Sequence, residues 1–402
     1  MSNPNVQPLA QEFVVAAQVP DSSRYFFHDP NLTRLDDGTL LIAAPQWGRR
    51  GSGVGRCLRM LRSEDGGGTW EETPTLSLHE GTPFVLDGRL LMFVQEESHR
   101  DFQIAESDDG GRTWTAPRTV IEGPVWNIST AMVAHPDTLY WAMDRDLPDA
   151  AHNSKVMVRL DSTRSPLDPG SWSVSNIVLP PELPGALSRD LFPVGNRPQL
   201  YRGWEHPFVW LEPNTVDVGG RIRVFARCII DEYASAHVAA VLDYDTETNQ
   251  LSFSQFASWP GAQCKFFVIH DRPGGMYWML SNLVTNSQDL LGWGQRLRET
   301  RFPGGPGNER RWLFLHYSID CLNWFPAGCV ARWTDTVQRS FMYPSAVIDG
   351  EDLVVLSRTS RDSGDPHDAD LCTVHRVRTF RNLAMDLHAG GLHTRRGPLA
   401  GC

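Results

Sequence analysis

Ser63-Glu64-Asp65-Gly66-Gly67-Gly68-Thr69-Trp70 and Ser107-Asp108-Asp109-Gly110-Gly111-Arg112-Thr113-Trp114 are one motif, S-x-D-x-G-x-T-W, written twice. A shorter third version, without the Thr, is Ser318-Ile319-Asp320-Cys321-Leu322-Asn323-Trp324. The chemistry of such a stretch is that of a hairpin turn. Asp accepts hydrogen bonds from nearby backbone N–H groups, Gly supplies a positive φ, and Trp packs beneath the turn against neighbouring strands. Asp65 and Asp109 therefore read as structural residues, not as catalytic carboxylates.

A second repeat surrounds these turns, in which an apolar run, a turn and another apolar run follow one another. It appears at 32–42 around Asp37-Gly38, at 84–93 around Asp87-Gly88, at 216–225 around Gly219-Gly220 and at 346–355 around Asp349-Gly350. Asp-Gly between alternating apolar runs is a strong hairpin signal. Helical periodicity is scarce. Counting hairpin and turn units outward gives six blades, beginning near Phe27, Gly81, Trp126, Trp204, Cys264 and Phe341. Each holds roughly 60 residues, a little above the usual four-stranded propeller repeat. The fold class is thus all-β, a six-bladed β-propeller filling residues 21–382, with an N-terminal extension over 1–20 and a disordered tail over 383–402. Within blade three, 166–197 is rich in Pro, Ser and Gly and reads as a long loop. A second loop, 287–307, is placed to overhang the axis.

Composition narrows the function. The 402 residues are 41% hydrophobic and 21% charged, which is ample material for a core, and the 14 Trp suit either cores or sugar-stacking surfaces. A formal net charge of −11 argues against a nucleic-acid partner, although local arginines can still bind an anionic small molecule. The seven Cys show neither a CxxC pair nor Cys/His ligand spacing, so no metal or other cofactor is expected. No apolar run is long enough to cross a membrane. Met1 to Glu12 has neither the basic nor the apolar region of a signal peptide, so the chain as written reads as cytoplasmic. A removed leader would make it secreted or periplasmic.

The paired turns are the Asp-box (BNR repeat), and over nearly its whole length the chain resembles the sialidase (neuraminidase) superfamily. That resemblance implies a Tyr nucleophile paired with a Glu, three arginines for a substrate carboxylate, and an Asp acid/base. Glu212, in Trp210-Leu211-Glu212-Pro213-Asn214, precedes Arg227 at the family's spacing, with Glu205 as the alternative. Tyr343, in Phe341-Met342-Tyr343-Pro344-Ser345, opens blade six as the family Tyr does, and the third arginine falls on Arg310 or Arg311. The chain departs at the first arginine. His28-Asp29-Pro30 stands where Arg-Ile-Pro is usual, which makes His28 or Asp29 the candidate acid/base and tilts the substrate away from sialic acid. A phenol needs a carboxylate to take its proton, and being neutral it does not repel an anionic sugar.

Arg358, His367-Asp368, Trp126-Asn127 and Lys265 fall at axis-facing positions and are further candidates for lining a sugar pocket. Three readings follow: an exo-acting glycoside hydrolase for a terminal acidic sugar (sialic acid or uronate-like), a polysaccharide lyase for uronate-containing glycan, and a non-catalytic glycan-binding propeller. The expected partner is a glycan or a small acidic sugar.

Overall fold

The computed structural model describes residues 7–96, 100–147, 150–184, 209–229, 237–284, 309–336 and 338–385. They form six antiparallel sheets of four or five strands. Their innermost strands are Asn31–Arg34 (continuing Tyr25–Phe27), Glu80–Leu86, Val133–His135 (continuing Val125–Trp126), Val209–Val218, Phe267–Asp271 and Ser340–Asp349. Together they enclose an axial cavity of about 300 Å³ to which every blade contributes, for instance through Asn31, Pro83, Ala131, Thr215, Val268 and Ala346. The architecture is a six-bladed β-propeller. Helix among the described residues is confined to two 3-10 turns, Pro169–Ser171 and Phe380–Leu383, and no helix is long and apolar enough to cross a membrane.

The core is divided into wedges. Six clusters of buried side chains lie one at each junction between blades. Trp141, Phe93 and Phe102 fill the junction of blades two and three, and Trp278, Phe341 and Phe380 that of five and six. Middle strands such as Arg89–Gln95, Met276–Asn282 and Asp352–Ser360 are buried on both faces because each blade is sandwiched between two others, whereas outermost strands such as Glu71–Leu76 are largely exposed. Burying such side chains, worth about 1.5–3 kcal/mol each, holds neighbouring blades together.

The turns show why these segments fold locally. Asp65 Oδ1 accepts from the N–H groups of Gly68 and Thr69, both at 2.9 Å, and Oδ2 accepts from the Thr69 hydroxyl at 2.8 Å. Asp109 repeats the arrangement with Arg112 and Thr113, and Asp320 with Leu322 and Asn323. All three turns join the two outer strands of their blades. Their tryptophans, Trp70, Trp114 and Trp324, pack into the junction with an adjacent blade. Asp87 at φ 50° and Gly88 at φ 74° make the tight hairpin of blade two, whose twist matches that of its strands.

Two expectations change. Within the expected extension 1–20, Val14–Gln18 pairs with Leu371–Val377 and supplies the outermost strand of blade six, so the ring is closed by strands from the two ends of the described chain. Part of the expected loop 166–197 is also ordered, since Trp172–Val174 forms the outermost strand of blade three. The proposed start of blade four at Trp204, the loop 287–307 and the tail beyond 385 lie outside the described residues.

Candidate active site

Three inner strands are interrupted in the same way, at Asp29-Pro30-Asn31, Glu212-Pro213-Asn214 and Tyr343-Pro344-Ser345. Proline cannot donate to a strand ladder, and the pairing slips between Leu211 and Asn214 and between Met342 and Ser345. At both slips the residue before proline is left-handed, Glu212 at φ 54° and Tyr343 at φ 48°. A non-glycine residue held there costs about 1–3 kcal/mol and persists only where surrounding contacts over-determine it. Those contacts come from the polar residue after the proline. Asn214 Oδ1 accepts from Ala131 N at 3.1 Å and Val268 N at 3.2 Å, tying blade four to both neighbours. Ser345 Oγ accepts from Leu32 N at 2.9 Å, tying blade six to blade one.

The slips bring side chains together across the ring. The Tyr343 phenol donates to Glu212 Oε1 at 3.4 Å, and Arg227 Nη1 lies 2.9 Å from Glu212 Oε2. The guanidinium groups of Arg358 and Arg310 stand 4.1 Å and 5.2 Å from the Tyr343 ring centroid. Lys265 donates to the Pro344 carbonyl. Arg358 donates to the carbonyls of His28 and His367 and approaches Asp29 Oδ1 at 3.5 Å.

A second group adjoins the first. His28 Nδ1 lies between two carboxylates, 2.7 Å from Asp29 Oδ2 and 3.1 Å from Glu80 Oε1. Its ring stacks on Trp47 with centroids 3.7 Å apart, and Arg56 covers the same indole at 3.8 Å. His28, Asp29 and Glu80 are the one trio among the described residues with spacing that a metal ion could use. A protonated His28 would itself neutralise the two carboxylates, and the charges of Arg358 and Lys265 disfavour a further cation there.

Burial and charge set the protonation states. Burial opposes charge on His28, but Asp29 and Glu80 outweigh it and raise its pKa to about 9. Burial works against Asp29 as well, yet His28 and then Arg358 lower it to about 2. Burial raises Glu212 despite Arg227, and raises Glu80 despite His28. Tyr343 is pushed up by burial and then by the charge of Glu212. Burial lowers Lys265 to about 7 although Glu212 and Asp29 pull it upward.

The candidates read from sequence therefore separate. His28, Asp29, Glu212, Arg227, Lys265, Arg310, Tyr343 and Arg358 converge. Trp126 packs at the edge of the same cluster, beside Ile128, Met342 and Tyr343. His367 presents its ring edge to Tyr343 at 6.1 Å while Nδ1 sits 3.1 Å from Asp368, and burial and Arg358 hold its pKa well below the ordinary value. Asn127 does not join the cluster. Its amide donates to the carbonyls of Ala142 and Pro213, and its oxygen accepts from Ile128 N, so it fastens the frame behind Glu212. Arg311 turns away and pairs with Glu309 at 2.5 Å. Glu205 lies outside the described residues. Glu80 was not anticipated, although an acidic residue heading an apolar inner strand is the same signal that marks Glu212.

No protein-family model and no curated protein matches the sequence. Among solved structures the chain is similar to an α-L-arabinanase of Penicillium chrysogenum in complex with arabinobiose. The TM-score is 0.57 at 15% identity, covering 92% of this chain and 99% of that one. It is also similar to an α-L-arabinofuranosidase of Fusarium graminearum, with TM-score 0.51, 12% identity and 92% and 98% coverage. A third match is the sialidase of Trypanosoma rangeli, with TM-score 0.58 and 12% identity; the match covers 94% of this chain and 60% of the longer sialidase. At such identities the likeness establishes the fold: a six-bladed propeller of the sialidase-like kind.

Proposed function

We propose that this protein is a retaining glycoside hydrolase that removes a terminal acidic sugar, with Tyr343 as nucleophile and Glu212 as its base. The observation that carries the reading is the Tyr343–Glu212 contact, made by two residues that are each in a strained left-handed conformation before a proline. Strain maintained on both sides of one hydrogen bond is expected of a site, not of a core. The acidic substrate is supported by charge. Arg227, Arg310, Arg358, Lys265 and His28 outnumber Asp29, Glu80 and Glu212 in the cluster around Tyr343 and His28. Arginine favours a carboxylate through paired charge-assisted hydrogen bonds.

Between His28 and Asp29, the protonation states favour His28 as the acid. Asp29 is ionised at neutral pH, whereas His28 holds its proton. In the first step the Tyr343 proton passes to Glu212 and the phenol oxygen bonds to the anomeric carbon. The glycosidic C–O bond breaks, and the leaving oxygen takes a proton from His28, from Nε2 because Nδ1 is engaged by the two carboxylates. In the second step neutral His28 takes a proton from water, the hydroxide replaces Tyr343 at the anomeric carbon, and Glu212 returns the proton to the phenolate. Two displacements restore the starting configuration.

The test is a screen of aryl glycosides and uronate polysaccharides with wild type and Tyr343→Phe. Release of aglycone by wild type and its loss in the variant supports the hydrolase. An absorbance gain from unsaturated uronate supports the lyase instead, and glycan binding with no turnover supports a binding propeller.

A further inference from the structure

The left-handed backbone at Glu212 has a brace behind it. Asp144 lies in strand Thr138–Leu147 of blade three, directly opposite Lys155 of the adjoining strand. Both side chains are 0% exposed, and Lys155 Nζ stands 2.5 Å from Asp144 Oδ1. The second oxygen, Asp144 Oδ2, accepts the backbone N–H of Glu212 at 2.8 Å. Lys155 Nζ also donates to the carbonyl of Trp210 at 2.9 Å and lies 4.6 Å from the centre of the Trp210 ring. The pair thus grips the backbone at 210 and 212, next to the slip in the ladder between Leu211 and Asn214.

Desolvating two charges is expensive, and a buried ion pair can often be replaced by apolar side chains with no loss of stability. Blades three and four are already joined by an apolar cluster that includes Ala142, Met157, Trp210 and Cys228. Adhesion between blades does not call for a charged pair at this point. Directed hydrogen bonds to backbone groups beside one strained residue do.

We propose that Asp144 and Lys155 are positioning residues, a buried ion pair that fixes the backbone around Glu212 so that its carboxylate meets Tyr343. The inference rests on Glu212 and Tyr343 forming the site proposed above.

Two double variants of the full-length protein separate positioning from simple packing. D144L/K155M removes the charges and the acceptor for Glu212 N–H. D144N/K155M removes the charges but keeps an oxygen for that N–H. The expected result is that both unfold cooperatively and that D144L/K155M loses about 100-fold in kcat with KM little changed, as a misplacement of about 1 Å implies. D144N/K155M recovers the part of that loss due to the missing acceptor for Glu212 N–H, and keeps the part due to the lost hydrogen bond from Lys155 to the Trp210 carbonyl. Crystal structures should show Glu212 out of its left-handed conformation and away from Tyr343 in the leucine variant, and in place in the asparagine variant. Equal kcat in the two, or an unmoved Glu212 in D144L/K155M, overturns the proposal. If the leucine variant does not fold, D144A/K155M takes its place with the same outcomes. Should wild type cleave no sugar, the hydrolase reading fails by itself, while the position of Glu212 still decides for or against the brace.

Discussion

Replacing Lys265 by Met should stabilise the protein at acid and neutral pH while impairing the site. Lys265 is 1% exposed, and burial brings its pKa from 10.5 to about 7. At about 1.4 kcal/mol for each tenfold change in proton affinity, that fall corresponds to roughly 5 kcal/mol by which the folded state disfavours the charged amine. Between pH 7 and 10.5 the unfolded chain therefore holds a proton that the folded chain has released. Stability contributed by Lys265 must rise with pH across that window. His28 acts in the opposite direction. Its pKa is raised from 6.5 to about 9, so its contribution is complete below 6.5 and is lost as pH rises through 9. Wild type alone will show little net slope where the two overlap, and the difference between wild type and Lys265→Met isolates the lysine. From pH 6 to pH 9 wild type should gain about 3 kcal/mol on the variant. Urea unfolding of both proteins at several pH values measures this. A difference that stays constant from pH 6 to 9 would refute the reasoning, because Lys265 would then keep the same proton affinity folded and unfolded.

Glu212→Gln leaves the Tyr343 phenol without a base and should lower kcat by about 10²–10⁴-fold, measured by initial rates on the preferred aryl glycoside. The pH dependence of kcat/KM should be bell-shaped. His28 must be protonated, so activity falls as pH rises through about 9; Glu212 must be ionised, so activity falls as pH drops below its raised pKa, above the ordinary 4.5. His28→Gln should abolish the alkaline limb in the same assay. Trp141→Ala should cost about 3–5 kcal/mol in urea unfolding, because Trp141 fills the junction of blades two and three and donates to Thr130 Oγ1 at 3.0 Å.

Much of the fold could be read because it is built from local chemistry. Asp65, Asp109 and Asp320 each organise their own turn within a few residues, and Asp87-Gly88 needs only its two backbone conformations. Ring closure by Val14–Gln18 was not legible, since its partner strand lies more than 350 residues away and nothing in five residues names it. The site divides along the same line. Tyr343 and Glu212 were reached through the resemblance to the sialidase superfamily, by the places its Tyr and Glu hold in the blades. The kink that presents them was in plain view as Asp29-Pro30-Asn31, Glu212-Pro213-Asn214 and Tyr343-Pro344-Ser345, but its meaning depends on how each slip is stitched to the next blade. Asn127 illustrates the converse. A polar residue on an inner strand can face a ligand or satisfy backbone carbonyls, and only the positions of Ala142 and Pro213 decide between them. Arg310 and Arg311 are adjacent in a strand-like segment, so their side chains point to opposite sides; one reaches Tyr343 and the other Glu309.

The central claim is that the Tyr343 oxygen forms a bond to sugar, and mass spectrometry tests it most directly. Protein incubated with a fluorinated acidic glycosyl fluoride, which slows release of the sugar, should carry one glycosyl group on the peptide containing Tyr343. That label should be absent in Tyr343→Phe. Turnover of the unfluorinated substrate with the label on a carboxylate, or undiminished turnover by Tyr343→Phe, would contradict the account.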